Sequence, residues 1–104
     1  MDFNFAKWYV FLILFLEQNL QGLALYEQLG QNDQVARSNV DVAYVHLQME
    51  DPQSAWPFLE KARGILETGN DSQALGDLYQ RYISYYTFTK DTIKGLAIAA
   101  KAIA

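Results

Sequence analysis

The chain has 104 residues and a formal net charge of −4; 51% of its residues are hydrophobic and 14% aromatic. That length holds one domain with a real core but no large enzyme, and that composition excludes a disordered chain. An acidic balance without a Lys/Arg cluster speaks against a nucleic-acid surface, whose affinity comes mostly from phosphate neutralisation, and the lack of cysteine removes disulfide and thiolate chemistry and fits a reducing, cytoplasmic setting.

The first notable stretch, Trp8 to Leu16, reads WYVFLILFL and is apolar throughout. A bilayer crossing wants about 20 apolar residues, and here Glu17, Gln18, Asn19 and Gln21 end the run early. Asp2 rather than a basic residue precedes it and no small-residue cleavage pattern follows, unlike a signal peptide. The stretch is therefore expected to form a core or oligomer-contact helix, with no membrane partner. The stripe Phe5, Leu12, Phe15, Leu23 and Tyr26 suits one helix over 4–29, whereas Gln18-Asn19 suits a turn between two. The broken form is favoured.

Further along, Gly30 to Asp33, Glu50 to Pro52, Gly69 to Asp71 and Lys90-Asp91 punctuate helical patterns. Residues 34–49 place Val35, Val42, Val45 and Met49 along a broad face behind an Asn32 or Asp33 cap. At Asp51 a good N-cap is followed by Pro52 at the first helical position, where its missing N–H matters least. Ala55, Leu59, Ala62 and Leu66 then recur at helical spacing, and Pro57 predicts a bend. Residues 72–88 follow an Asn70 or Asp71 cap with Leu75, Leu78, Tyr79, Tyr82, Ile83 and Tyr86 in a stripe, and residues 92–103 follow Asp91 with Ile93, Leu96, Ala97, Ala100 and Ile103. No segment alternates with period two, so the chain is all-α.

A fixed period runs through these helices. Glu50-Asp51-Pro52 and its helix find an outline echo at Lys90-Asp91-Thr92, Glu60-Lys61-Ala62 echoes at Ala100-Lys101-Ala102, and Gly30 to Asp33 resembles Gly69 to Asp71. A spacing of 40 residues separates the first two pairs. Helix pairs of this size cannot bury an apolar face alone, so they stack. The expected fold is an α-solenoid of antiparallel helix pairs with five or six helices: one domain over 1–104, with a degenerate or capping segment at 1–31 and repeats at 34–69 and 71–104.

Ala55, Leu59 and Ala62, in order, resemble the small, bulky and small positions in the second helix of the tetratricopeptide repeat family, and Tyr79, Tyr82, Tyr86, Gly95 and Ala102 extend the likeness. Ile83 departs from the small residue usual at its place and His46 from the usual aromatic. The 40-residue spacing resembles the longer repeats of bacterial signalling regulators. This resemblance implies a non-enzymatic module of a larger bacterial protein that binds a protein or peptide in a groove lined by the inner helices. It places Arg37, Val40, Tyr44 and Leu47 of one repeat, and Asp77, Gln80, Ser84 and Thr87 of the next, in that groove. Those residues do not supply the Lys/Asn clamp by which some members hold a C-terminal carboxylate. The apolar end at Ala99 to Ala104 fits a module continued or covered by something else.

Catalytic chemistry is poorly supplied: there is one histidine and no glycine-rich phosphate loop. His46 reads as a core or interface residue, Asp71 and Asp91 as caps, and Asp77 as a first-turn carboxylate favoured by the helix dipole. No catalytic residue, metal or cofactor is expected. Two further readings stand beside the binding module. One is a sensory or dimerisation part of a signalling regulator whose output domain, a diguanylate cyclase or a transcription regulator, lies elsewhere. The other is self-association through the aromatic first helix, with Phe5, Trp8, Leu12 and Phe15 meeting a second copy.

Overall fold

Helix ends in this chain are set by three capping aspartates and three residues in the left-handed region. They divide it into α1 (Phe3–Leu29), α2 (Asn32–Gln48), α3 (Pro52–Leu66), α4 (Ser72–Phe88) and α5 (Thr92–Ile103). The structure, a computed structural model, describes residues 3–103, with side chains for 6–103. No strand occurs among the described residues.

α1 is one unbroken helix of 27 residues, so the turn expected at Gln18-Asn19 does not form. Asn19 often competes with the backbone, but here its Nδ2 donates to the Phe15 carbonyl at 2.8 Å and so stays within the helix. Instead α1 ends at Gly30, whose φ is 67°. The expected Asn32 or Asp33 cap on α2 is also absent: Gln31 occupies the N-cap position without a side-chain bond, and Asp33 sits in the first turn.

The later caps form as expected. Asp51 Oδ1 accepts from the Ser54 N–H at 3.2 Å, Asp71 Oδ1 from the Ala74 N–H at 3.0 Å and Asp91 Oδ1 from the Lys94 N–H at 3.1 Å. α3 runs on through Pro57, which lies on the exposed side.

The 40-residue echo has a geometric counterpart. Glu50 and Lys90, 40 residues apart, both adopt φ 59°. After each, the next N–H reaches back to the helix it closes, from Asp51 to the His46 carbonyl and from Asp91 to the Tyr86 carbonyl, both at 2.9 Å. These are the closures by which a left-handed residue satisfies a helix C-terminus. An ion pair repeats in the same register: Lys61 Nζ lies 3.2 Å from Glu27 Oε2, and Lys101 Nζ lies 2.9 Å from Glu67 Oε2.

Short turns fold each helix back on its predecessor, giving a solenoid of antiparallel pairs in which α2 touches α1, α3 and α4. The core is shared by α2 (Ala36, Val40, Ala43, Leu47), α3 (Ala55, Leu59, Ala62, Leu66) and α4 (Ala74, Leu78, Tyr79, Tyr82). Ala55 and Ala62 are fully buried, and their small side chains let neighbouring backbones approach. The two core tyrosines keep their hydroxyls bonded: Tyr82 Oη donates to Glu60 Oε1 at 2.7 Å and Tyr79 Oη to Glu67 Oε2 at 3.0 Å. Burial, then the Glu60 carboxylate, push the Tyr82 phenol well above its ordinary pKa.

At the C-terminal edge the expected stripe is not buried. Ile93, Leu96, Ala97, Ala100, Ala102 and Ile103 are exposed, and Gly95, Ile98 and Ala99 are the half-buried residues. α5 packs on α4 alone, so only one narrow face can be covered.

Candidate partner-binding surface

With three neighbours, α2 leaves a single strip for solvent beyond its exposed first turn, and that strip is Arg37, Asp41, Tyr44 and Gln48. These positions recur at three- and four-residue steps and so share a face. Beside them α4 exposes Asp77 and Gln80, with Arg81 and Ser84 half-buried. Leu47, expected in the groove, instead points into the core, and Val40, buried with it in the cluster of Ala36, Ala43 and Leu59, reaches the groove only as part of the lining of the cleft between α2 and α4. At these two places the exposed residue lies one helical position further on, and the residues gained are Asp41 and Gln48.

Arg37 is held rather than free. Its Nε donates to Asp71 Oδ2 at 3.1 Å and its Nη2 to the same oxygen. That contact raises the Arg37 pKa, while the Ala74 N–H, then Arg37, hold the Asp71 carboxyl below its ordinary range. One carboxylate thus caps α4 and ties it to α2. Tyr44 lies beneath Arg81, whose guanidinium carbon is 4.3 Å from the ring centroid. Such a pair is worth about 0.5–1 kcal/mol at an exposed site. The Arg81 Nε is shut off from solvent and has no partner among the described residues. Asp41 has its carboxyl pKa raised, first by lost hydration and then by the Asp77 charge, against the pull of Arg81 and Arg37.

Two clefts meet on this strip. A cleft of about 150 Å³ between α2 and α4 is lined by Arg37, Val40, Asp41, Ala74 and Asp77. The other, about 420 Å³, lies between α1 and α2, where Gln18, Gly22 and Tyr26 face Arg37 and Asp41. Arg37 and Asp41 belong to both, so α1 supplies a wall that the repeat pattern did not suggest. Ser84 and Thr87 turn their hydroxyls back to their own helix, Ser84 Oγ donating to the Gln80 carbonyl at 3.2 Å and Thr87 Oγ1 to the Ile83 carbonyl at 2.8 Å. Asp41 and Arg81 were legible as the i+4 partners of Arg37 and Asp77, two opposite-charge steps on neighbouring helices.

His46 stacks on Phe58 with ring centroids 5.7 Å apart. Desolvation lowers its pKa, and Asp51 opposes this. No group of three or more His, Asp or Glu side chains placed to hold a metal occurs among the described residues.

On α1 the self-association residues separate. Trp8 and Phe15 are exposed, Leu12 is buried, and the side chain of Phe5 lies outside those described. The stretch Ala6–Leu29 is long and apolar enough to cross a membrane by length and composition; an 18-residue window within it has a mean hydropathy of 1.2, and 11% of that window is buried. Compared with protein-family models, curated proteins and solved structures, the chain finds no match.

Proposed function

We propose that this chain is a non-enzymatic, tetratricopeptide-like interaction module of the cytoplasm, holding a protein or peptide segment across the strip of α2 and α4. What carries the reading is Arg81, half-buried and stacked over Tyr44 with the Asp41 and Asp77 charges nearby. A stacked guanidinium loses little freedom on meeting a carboxylate. Aspartates on the same strip favour a basic residue next to that acidic one, so the preferred ligand is a short segment of mixed charge. Tyr44, aromatic with a polar tip, supplies an apolar contact of the kind enriched at interfaces.

Selection of peptides from a random displayed library on the immobilised chain tests this. Selected peptides should shift the amide resonances of Asp41, Tyr44 and Arg81. They should also lose about tenfold or more in affinity on Tyr44→Ala or Arg81→Ala, the loss expected of an interface anchor. Peptides that bind equally well to both variants, with helicity unchanged, refute the placement.

A further inference from the structure

The outer face of α4 and α5 forms a groove of about 380 Å³ whose floor includes Ile83, Thr87, Gly95 and Ala99. The chain itself shows what such a groove receives. Forty residues earlier the same places are held by Ala43, Leu47, Ala55 and Leu59, all buried because α4 lies across them. Leu96, exposed at the groove edge, stands where Trp56 stands in the earlier register, and Trp56 packs on Tyr82, Tyr85 and Tyr86 of α4. The open groove is thus the next acceptor for a helix. Three of its four floor residues are smaller than their counterparts, Thr87 for Leu47, Gly95 for Ala55 and Ala99 for Leu59, so it has room for larger side chains than α4 offers.

Large unpartnered side chains lie at the opposite end of the molecule. Trp8, Phe11 and Phe15 recur at three- and four-residue steps on one face of α1 and are 53%, 67% and 45% exposed. α1 is about 40 Å long and α2 about 25 Å, and Gly30-Gln31 ties their adjoining ends. Roughly ten N-terminal residues of α1 therefore project beyond α2. Within one chain α1 packs on α2, joined to α3 by the Lys61–Glu27 ion pair, and does not pack on α5.

We infer that the projecting end of α1 seats in the α4–α5 groove of a second copy, so that the chain associates head to tail. Trp8 and Phe11 are the anchors and Gly95 and Ala99 the floor that admits them, in the manner of a helix laid into a groove. The two surfaces differ, so the contact is heterologous and each copy keeps one end open unless a ring closes. This inference does not depend on the peptide-binding strip, and Tyr44→Ala or Arg81→Ala leaves the association unchanged.

The test uses Phe11→Glu and Leu96→Glu, both at well-exposed positions, with far-UV circular dichroism checking that each variant keeps its helices. The wild-type mass, measured by light scattering, should rise with concentration past two copies or to a closed ring. Each variant alone should weaken association about tenfold or more. Mixed together, they should form a heterodimer that grows no further, because the Phe11→Glu chain keeps its groove and the Leu96→Glu chain keeps its helix end. A monomeric wild type overturns the proposal. So does a Leu96→Glu chain that dimerises by itself, which would mean α1 pairs with α1, and so does wild-type binding to neutral phosphatidylcholine vesicles without self-association, which would mean a bilayer covers α1.

Discussion

Gly30, Glu50 and Lys90 close three helices with φ of 67°, 59° and 59°, yet only the first is the residue type that accepts this conformation freely. An L-residue in the left-handed region costs about 1–2 kcal/mol. Glycine avoids that cost but is more disordered in the unfolded chain, which takes back about 0.5–1 kcal/mol. Glu50→Gly should therefore stabilise the fold by about 0.5–1 kcal/mol, a rise in Tm of about 2–8 °C for a domain of this size. Glu50→Ala keeps the strain and should change little. Gly30→Ala should destabilise by a similar amount, and since a Cβ at Gly30 meets no atom within 4 Å, the loss is backbone strain alone. Urea denaturation followed by circular dichroism measures all three. A neutral or destabilising Glu50→Gly, or a stabilising Gly30→Ala, refutes the reasoning.

Leu59, buried where α2, α3 and α4 meet, should lose about 2–5 kcal/mol on Leu59→Ala; a urea midpoint near that of the wild type would mean this core does not hold the helices together. Acid should act in two windows. His46 has a lowered folded-state pKa, so its contribution is complete above its ordinary value of about 6.5 and fades as pH falls through the folded value. Asp51, Asp71 and Glu67, also lowered, contribute above about pH 4 and lose that contribution as pH falls through their folded values. His46→Leu should abolish the first loss and leave the second, and Lys101→Met should reduce the second by removing the main partner of Glu67; melts across pH check both, and a first loss that survives His46→Leu contradicts the assignment.

Much of the fold was readable from local chemistry. Asp51, Asp71 and Asp91 announce helix starts because a carboxylate before a helix has one favourable use, capping the first free N–H groups. Failures came where a local signal met a stronger one. Asn19 would favour a turn, but the surrounding residues all accept a helix and its amide finds the Phe15 carbonyl. The candidate surface departs from the expected one at Val40 and Leu47 for a related reason. Periodicity shows that a helix has faces, but Val40 and Leu47 are buried because α2 has three neighbours, and the number of neighbours is not written in α2. For α5 the error runs the other way, since a good apolar pattern stays exposed when only α4 is there to meet it.

What the sequence determines by itself is the all-helical character, most helix boundaries and the 40-residue recurrence, because capping, backbone preference and hydrophobic spacing act over a few residues. Tertiary structure alone decides which apolar stripes are covered, that Arg81 lies over Tyr44 rather than extending into water, and that Arg37 is spent on Asp71. Those outcomes depend on contacts between helices whose facing residues are dozens of positions apart, and no local propensity encodes such distances.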